Sequence, residues 1–501
     1  MIPPGACPPI PPTASGRSIM TDTIKVIRRA AWAVAWDEDT SRHVYMRDVD
    51  IAFSSSGILH VGPAYEGHAD EEIAGAGIMA MPGLVNIHCH SGDEPIAKGL
   101  FEDVGTAALW GNALYEYSAL IDADADAKAA CQTVMLSDLM RSGVTTHLDI
   151  ASPSSTWLSL AAESGLRAYL APGFREAQWR MAGSHRLDFD WNKAQGRERY
   201  AEALAFVDEA RAHPSGRIDG VIAPSQIETC SEELIQEAVA EARRRGMRIT
   251  IHAAQTMAEH EELLRRTGET APAFLERLGV LGPDLILGHC IFLDHHSWTR
   301  QRSRDDLARL ARSGTSAAHC PVTFARSGMT LESLGAYRRA GVNVGLGTDS
   351  YPFNMLEEMR EALICSRISG RSVFDLDTGS LFSIATTGGA KALGRDDIGR
   401  LAAGAKADVA LVDLSHPSMQ PIHDPLRNLI HCGAERAIRD VYVDGTAVLK
   451  DRRVVNLDYD GAVRELQDAQ KRACRRAERD DPQGRPLSVL APYSLPLAHQ
   501  G

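Results

Sequence analysis

Between residues 84 and 349 the chain repeats one pattern eight times, a short apolar run followed by a longer amphipathic stretch. The runs lie at 84–88, 143–150, 166–172, 218–224, 248–254, 284–290, 315–321 and 342–349. Runs of this length between turn residues read as buried strands, and the stretches between them as helices. The clearest helix is SEELIQEAVAEARRRG, in which Leu234, Ile235, Ala238, Val239 and Ala242 share one face. Ser231 is placed to cap its start and Gly246 to stop it. Alternation on this scale admits a closed (β/α)8 barrel or a doubly wound open sheet. No glycine-rich dinucleotide fingerprint follows the first run, so the expectation is an α/β fold built on a (β/α)8 TIM-like barrel.

The flanks have a different texture. Residues 24–37 and 44–61 alternate apolar and polar with turn residues between, and the pattern returns at 407–414 and 439–449, with an Asp444-Gly445 turn. One β-sandwich assembled from both ends of the chain accounts for this. The expected division is a disordered leader over 1–19, the first part of the sandwich over 20–80 and the barrel over 81–399. The second part of the sandwich follows over 400–460, and a C-terminal helix with a loose tail over 461–501. Asn354 to Ser369 and Leu381 to Leu393 read as helices closing the barrel, and the tail helix turns Val463 and Leu466 inward.

Composition excludes several function classes. The formal net charge is −13 and no stretch gathers a Lys/Arg cluster, which argues against a nucleic-acid surface. No run of about 18 apolar residues exists to span a membrane. The Pro-rich N-terminus lacks the apolar core of a signal peptide. Nine cysteines are scattered without a CxxC pair, the pattern of reduced thiols in a cytoplasmic protein. Cys89, Cys290 and Cys320 each adjoin a histidine, and alternation turns them into the barrel wall rather than toward a ligand.

Chemistry gathers at one end of the strands. His88 and His90 are separated by one residue at the end of the first run, so both imidazoles leave it on the same side. His252 ends the fifth run, His289 the sixth, His319 the seventh and Asp349 the eighth. Catalytic groups of such barrels sit at the C-terminal strand ends. Five histidines and an aspartate converging there predict a metal site.

The segments PGLVNIHCH, LGHCIFLD, AHCP, GLGTDS and GRLAAGAKADVALVDL, together with His252, resemble the amidohydrolase superfamily in its triazine- and chlorohydrolase-like branch. The resemblance spans roughly residues 24–455. It implies a barrel with a composite β-sandwich and one divalent metal held by His88, His90, His252 and Asp349, with His289 beside it. Zn²⁺ suits three imidazoles and a carboxylate, and Fe²⁺, Mn²⁺ or Co²⁺ are possible. Some superfamily members bridge two metals with a lysine on the fourth strand. Lys193, inside a helix-like segment, is the only lysine between Lys128 and Lys391, so a mononuclear site is expected. The resemblance also implies Asp349 as the proton carrier and a homodimer.

One position departs from the family pattern. Deaminases of this branch carry Glu three residues after the fifth-strand His, and here Gln255 stands there. An amide cannot take and return a proton at a useful pKa. The main expectation is therefore hydrolysis of an acyclic C–N bond of a small molecule, in an amide, urea, carbamate or thiocarbamate. The alternative is deamination or dechlorination of an N-heterocycle, and a non-catalytic scaffold is a third possibility. Glu94, Lys98, Arg175, His319 and Thr323 are expected to line the substrate pocket, and Trp110, Trp179 and Trp191 to form an apolar lid.

Overall fold

The computed structural model describes residues 22–498 apart from 183–185 and 434, so the leader expected over 1–19 lies outside the described residues. Eight strands carry the central layer: β1 (Leu84–Cys89), β2 (Val144–Ala151), β3 (Arg167–Phe174), β4 in two pieces (Ile218–Gly220 and Ala223–Pro224), β5 (Ile249–Ala253), β6 (Leu285–His289), β7 (Ser316–His319) and β8 (Asn343–Leu346). Each overlaps one of the eight predicted runs. Pairing is parallel throughout and follows chain order, β1 to β4 in one sheet and β5 to β8 in another. Isolated parallel bridges join Ile222 to Ile249 and Gln226 to His252 at one seam, and Cys89 to Asp349 at the other.

Side-chain alternation sorts β1 cleanly. Val85 and Ile87 pack with Leu148, Ile150, Tyr169 and Ala171 into an apolar cluster. The opposite face is left to Asn86 and His88. The helix Glu232–Arg245 forms as its sequence predicts: Ser231 Oγ accepts the Leu234 N–H, and Gly246, at φ 64°, ends it in the left-handed region.

The chain ends build two further sheets. A seven-stranded sheet runs from Arg453–Val454 through Ile438–Val443, Val409–Asp413 and Ile78–Pro82 to Arg42–Met46. Ile78–Pro82 pairs antiparallel with Val409–Asp413, joining segments more than 300 residues apart. Alternate residues divide the labour. Ile78, Ala80, Val409 and Leu411 meet Ile27, Ile51 and Phe53 of a four-stranded sheet, while Met79, Met81, Ala410 and Val412 pack toward the central layer. A buried ion pair pins the two layers: Arg167, at the start of β3, lies 3.2 Å from Asp408 and 2.8 Å from Asp444.

The tail helix, Tyr459–Asp480, matches expectation, but Val463 is 41% exposed and only Leu466 turns toward the protein. Just after it Arg485 donates to Glu116 at 2.7 Å and Leu490 is buried, while Tyr493, Leu495 and Leu497 are exposed. Among the described residues no helix is long and apolar enough to cross a membrane.

Candidate metal centre

The donors sit where strand ends meet. His88 lies in β1 and His252 in β5, and the backbone of Asp349 donates to the His88 carbonyl at 2.9 Å while His90 donates to the Asp349 carbonyl at 2.9 Å. Asn86 fixes the same seam, donating from Nδ2 to Thr348 Oγ1 at 2.9 Å. Several non-glycine residues here adopt the left-handed conformation: Ala254 (φ 55°), His289 (79°), Cys290 (51°) and Asp349 (56°). Strain of this kind is held only where surrounding structure over-determines it, and it concentrates at functional sites.

His88, His90, His252 and Asp349 each offer one donor atom within 4.8 Å of the others. Asp349 Oδ1 is 3.3 Å from His88 Nε2 and 3.2 Å from His90 Nε2, and the Nε2 atoms of His90 and His252 are 3.2 Å apart. Nδ1 of His90 lies 2.7 Å from the Ile150 carbonyl and Nδ1 of His252 lies 2.5 Å from the Ser225 carbonyl. A carbonyl can only accept, so each ring donates from Nδ1 and turns Nε2 inward toward the other donors. A cation between these Nε2 atoms would satisfy both. Donor separations of 3.2–3.3 Å match the roughly 3.3 Å edge of a tetrahedron with bonds of about 2.0–2.1 Å. The donor set fits a divalent metal.

Burial, reinforced by neighbouring imidazoles, pushes His252 well below the ordinary histidine range, whereas, against the effect of burial, Asp349 lifts His90 to about 9. Burial alone would raise Asp349, but His289, His88 and His90 hold its carboxyl well below the usual range.

His289 has its ring centre 4.7 Å from that of His88, and neither ring nitrogen finds a hydrogen-bond partner. Cys320, expected in the wall, instead offers its sulfur within 4.8 Å of donors from His88 and His289. Gln255 follows the strained Ala254, and its N–H donates to Glu259 at 2.7 Å. His319 is buried, which pushes it down to about 4. Thr323 Oγ1 lies 3.0 Å from Ser350 Oγ, next to Asp349. Glu94 faces Asp349 and His90, and its carboxyl is pushed up to about 7 by burial and then by Asp349. Arg175 lies over the Trp179 ring at 5.6 Å.

Lys98, also expected in the pocket, directly follows the turn Glu94–Ala97 and lies 3.2 Å from Asp138 on the helix Ala125–Arg141. Of the expected lid, Trp110 stacks on Trp298 at 5.6 Å and Trp179 meets Tyr115 at 4.9 Å, whereas Trp191 is 43% exposed beneath Arg266. Sequence reasoning missed two residues. Asp149, near the end of β2, accepts from Ser91 N, Ser91 Oγ and Trp157 Nε1 and so fixes the turn after His90. Its place at a strand end was a usable signal. Tyr115, which donates to or accepts from Thr256 Oγ1 at 2.7 Å, gave none.

With this geometry in place, the chain belongs to the amidohydrolase family, whose model matches residues 79–448. It is an enzyme, a hydrolase of carbon–nitrogen bonds. Among its relatives is a 5-methylthioadenosine/S-adenosylhomocysteine deaminase of Pelotomaculum thermopropionicum, 31% identical over 87% of this chain and 95% of the relative. A 5'-deoxyadenosine deaminase of Methanosarcina mazei is 27% identical over 89% of this chain and 97% of its own. Similar solved structures include a zinc-bound adenosine deaminase from Xanthomonas campestris, with TM-score 0.76, 23% identity, and coverage of 90% and 98%. An atrazine chlorohydrolase from Arthrobacter aurescens complexed with zinc has TM-score 0.76, 22% identity, and coverage of 89% and 100%.

Proposed function

We propose that this protein is a metal-dependent deaminase that removes an amino group from an N-heterocycle of the adenine-nucleoside kind. The eight parallel strands, bridged at both seams, would form a (β/α)8 barrel, and the two outer sheets a composite sandwich spanning 22–80 and 400–460. His88, His90, His252 and Asp349 would hold one ion, most simply Zn²⁺. The observation carrying this reading is the pair of inward Nε2 atoms of His90 and His252, 3.2 Å apart, with Asp349 Oδ1 3.2 Å from His90.

A divalent cation there supplies acidity, lowering the pKa of water from about 15.7 to about 7, worth ~12 kcal/mol toward hydroxide at neutral pH. The chain does the rest. Asp349, kept ionised by His289, His88 and His90, accepts the proton of the attacking water and passes it to the departing nitrogen. The C–N bond breaks, ammonia leaves and the ring keeps the oxygen. Gln255 holds a ring nitrogen by a hydrogen bond rather than by proton transfer. The stacked Trp110 and Trp298 suit a flat ring.

The acyclic amide, urea, carbamate or thiocarbamate expectation is now the second reading. The names of the relatives favour the ring alternative, while Gln255 and the loop carrying Glu94 and Lys98, similar to phenylurea and thiocarbamate hydrolases, speak for the acyclic one. Zinc-reconstituted protein incubated with 5'-methylthioadenosine, 5'-deoxyadenosine, atrazine and a phenylurea separates them. Ammonia together with an adenine-to-hypoxanthine absorbance change is expected. Aniline from the phenylurea, with no ammonia from any heterocycle, would sink the proposal.

A further inference from the structure

The loop after β1, residues 91–123, leaves the strand end beside His90 and reaches Thr256 after β5 through Tyr115, yet its regular structure is three short 3-10 turns, Glu94–Ala97, Ala107–Leu109 and Ser118–Leu120. Several of its side-chain partners come from the other end of the chain. Gln470, on the helix Tyr459–Asp480, donates to the carbonyls of Ile96 and Lys98 at 2.7 and 2.8 Å. Arg472 and Arg476 grip Asp124 at 2.9 and 3.1 Å. Arg485 donates to the Glu116 carboxylate at 2.7 Å and to its carbonyl at 3.3 Å, and the Glu116 side chain is wholly buried. Ala469, Ala473, Ala477 and Leu490 share one apolar cluster with Ile96 and Ile121. Beside Glu116, Tyr115 bonds Thr256, the residue after Gln255. All of these tail residues lie beyond the family match, which ends at 448.

We propose that the C-terminal segment 459–490 is a working part of the active site, with Arg485 and Gln470 as positioning residues that hold the loop 91–123 over the metal centre. The proposal rests on the metal site lying at these strand ends, not on which C–N bond is cleaved. The loop's own backbone bonds are local turn contacts that do not tie it to a strand, so its placement depends on its side-chain partners, and a charge-assisted bond to a buried carboxylate is the strongest of them.

The test is amide hydrogen exchange on zinc-loaded, full-length protein, which needs no substrate. In Arg485→Ala and Gln470→Ala, exchange across 94–123 should quicken by about tenfold or more, while zinc content and exchange across 249–293 stay as in wild type. Arg485→Lys should restore part of the protection. With any compound the enzyme turns over, KM should rise more than kcat falls. Unchanged exchange at 94–123 in both variants overturns the proposal. Loss of protection throughout the protein also overturns it, as does faster loop exchange with KM and kcat intact. Failure of deamination would leave the exchange result as it stands.

Discussion

His88, His252 and Asp349 lie in or beside paired strands, locked by backbone hydrogen bonds across the seams, while residues 91–123 above them contain no strand and lean on side chains from residues 459–490. The donors are placed by a main-chain ladder whose geometry is the same for any sequence that forms it. The covering loop is placed by particular side-chain partners hundreds of residues away. The donors and the loop are thus placed by different kinds of contact in this molecule. Ligand positions should resist change in the loop, and substrate selection should be sensitive to it.

Breaking the ladder side of this contrast should have the largest effect. His88→Ala or His90→Ala should lower zinc stoichiometry and activity together, by roughly a thousandfold or more. Asp349→Asn should cut kcat far more than it raises KM, and full activity in that variant would remove it from the mechanism. Next comes the joint between layers. Arg167→Ala leaves Asp408 buried beside Asp444, at a cost of about 3–5 kcal/mol in urea denaturation. A loss below about 1 kcal/mol would mean the sheets dock without it.

The loop side is sharpened by smaller changes. Gln255→Glu introduces a group able to shuttle protons, and ammonia release from an adenine nucleoside should rise by about a hundredfold. An unchanged rate would make Gln255 a passive contact. Trp110→Ala should raise KM by about tenfold with kcat nearly kept, read by steady-state kinetics.

A pH effect independent of the site should be the smallest. Burial pushes His43 down to about 4 from 6.5. As pH falls through 6.5 the unfolded chain takes up this proton and the folded chain does not. Its contribution is therefore whole above 6.5 and lost between 6.5 and about 4, at no more than ~1.4 kcal/mol per pH unit. His43→Gln should flatten the stability profile in that window.

The donor set was legible because each donor ends an apolar run, and a run's period and end survive in sequence. The fourth strand shows the limit of that signal. Its single predicted run, 218–224, is split into Ile218–Gly220 and Ala223–Pro224, since Ile222 turns to bridge Ile249 across the seam. Lys98 shows another limit. It follows the turn Glu94–Ala97 directly, and its ammonium finds its partner in Asp138, 40 residues further along the chain. Nothing local to Lys98 tells which way that turn will point it.

By itself, the sequence determined the eight strands, the gathering of histidines and an aspartate at one end of them, and the pairing of the chain's two ends, because periodicity and strand ends are local properties. Only the tertiary structure decided that Cys320 lies near His88 and His289, that Lys98 pairs with Asp138, and that Arg485 reaches the buried Glu116. Those outcomes depend on which distant side chains meet once the layers have packed, and no stretch of chain encodes that alone.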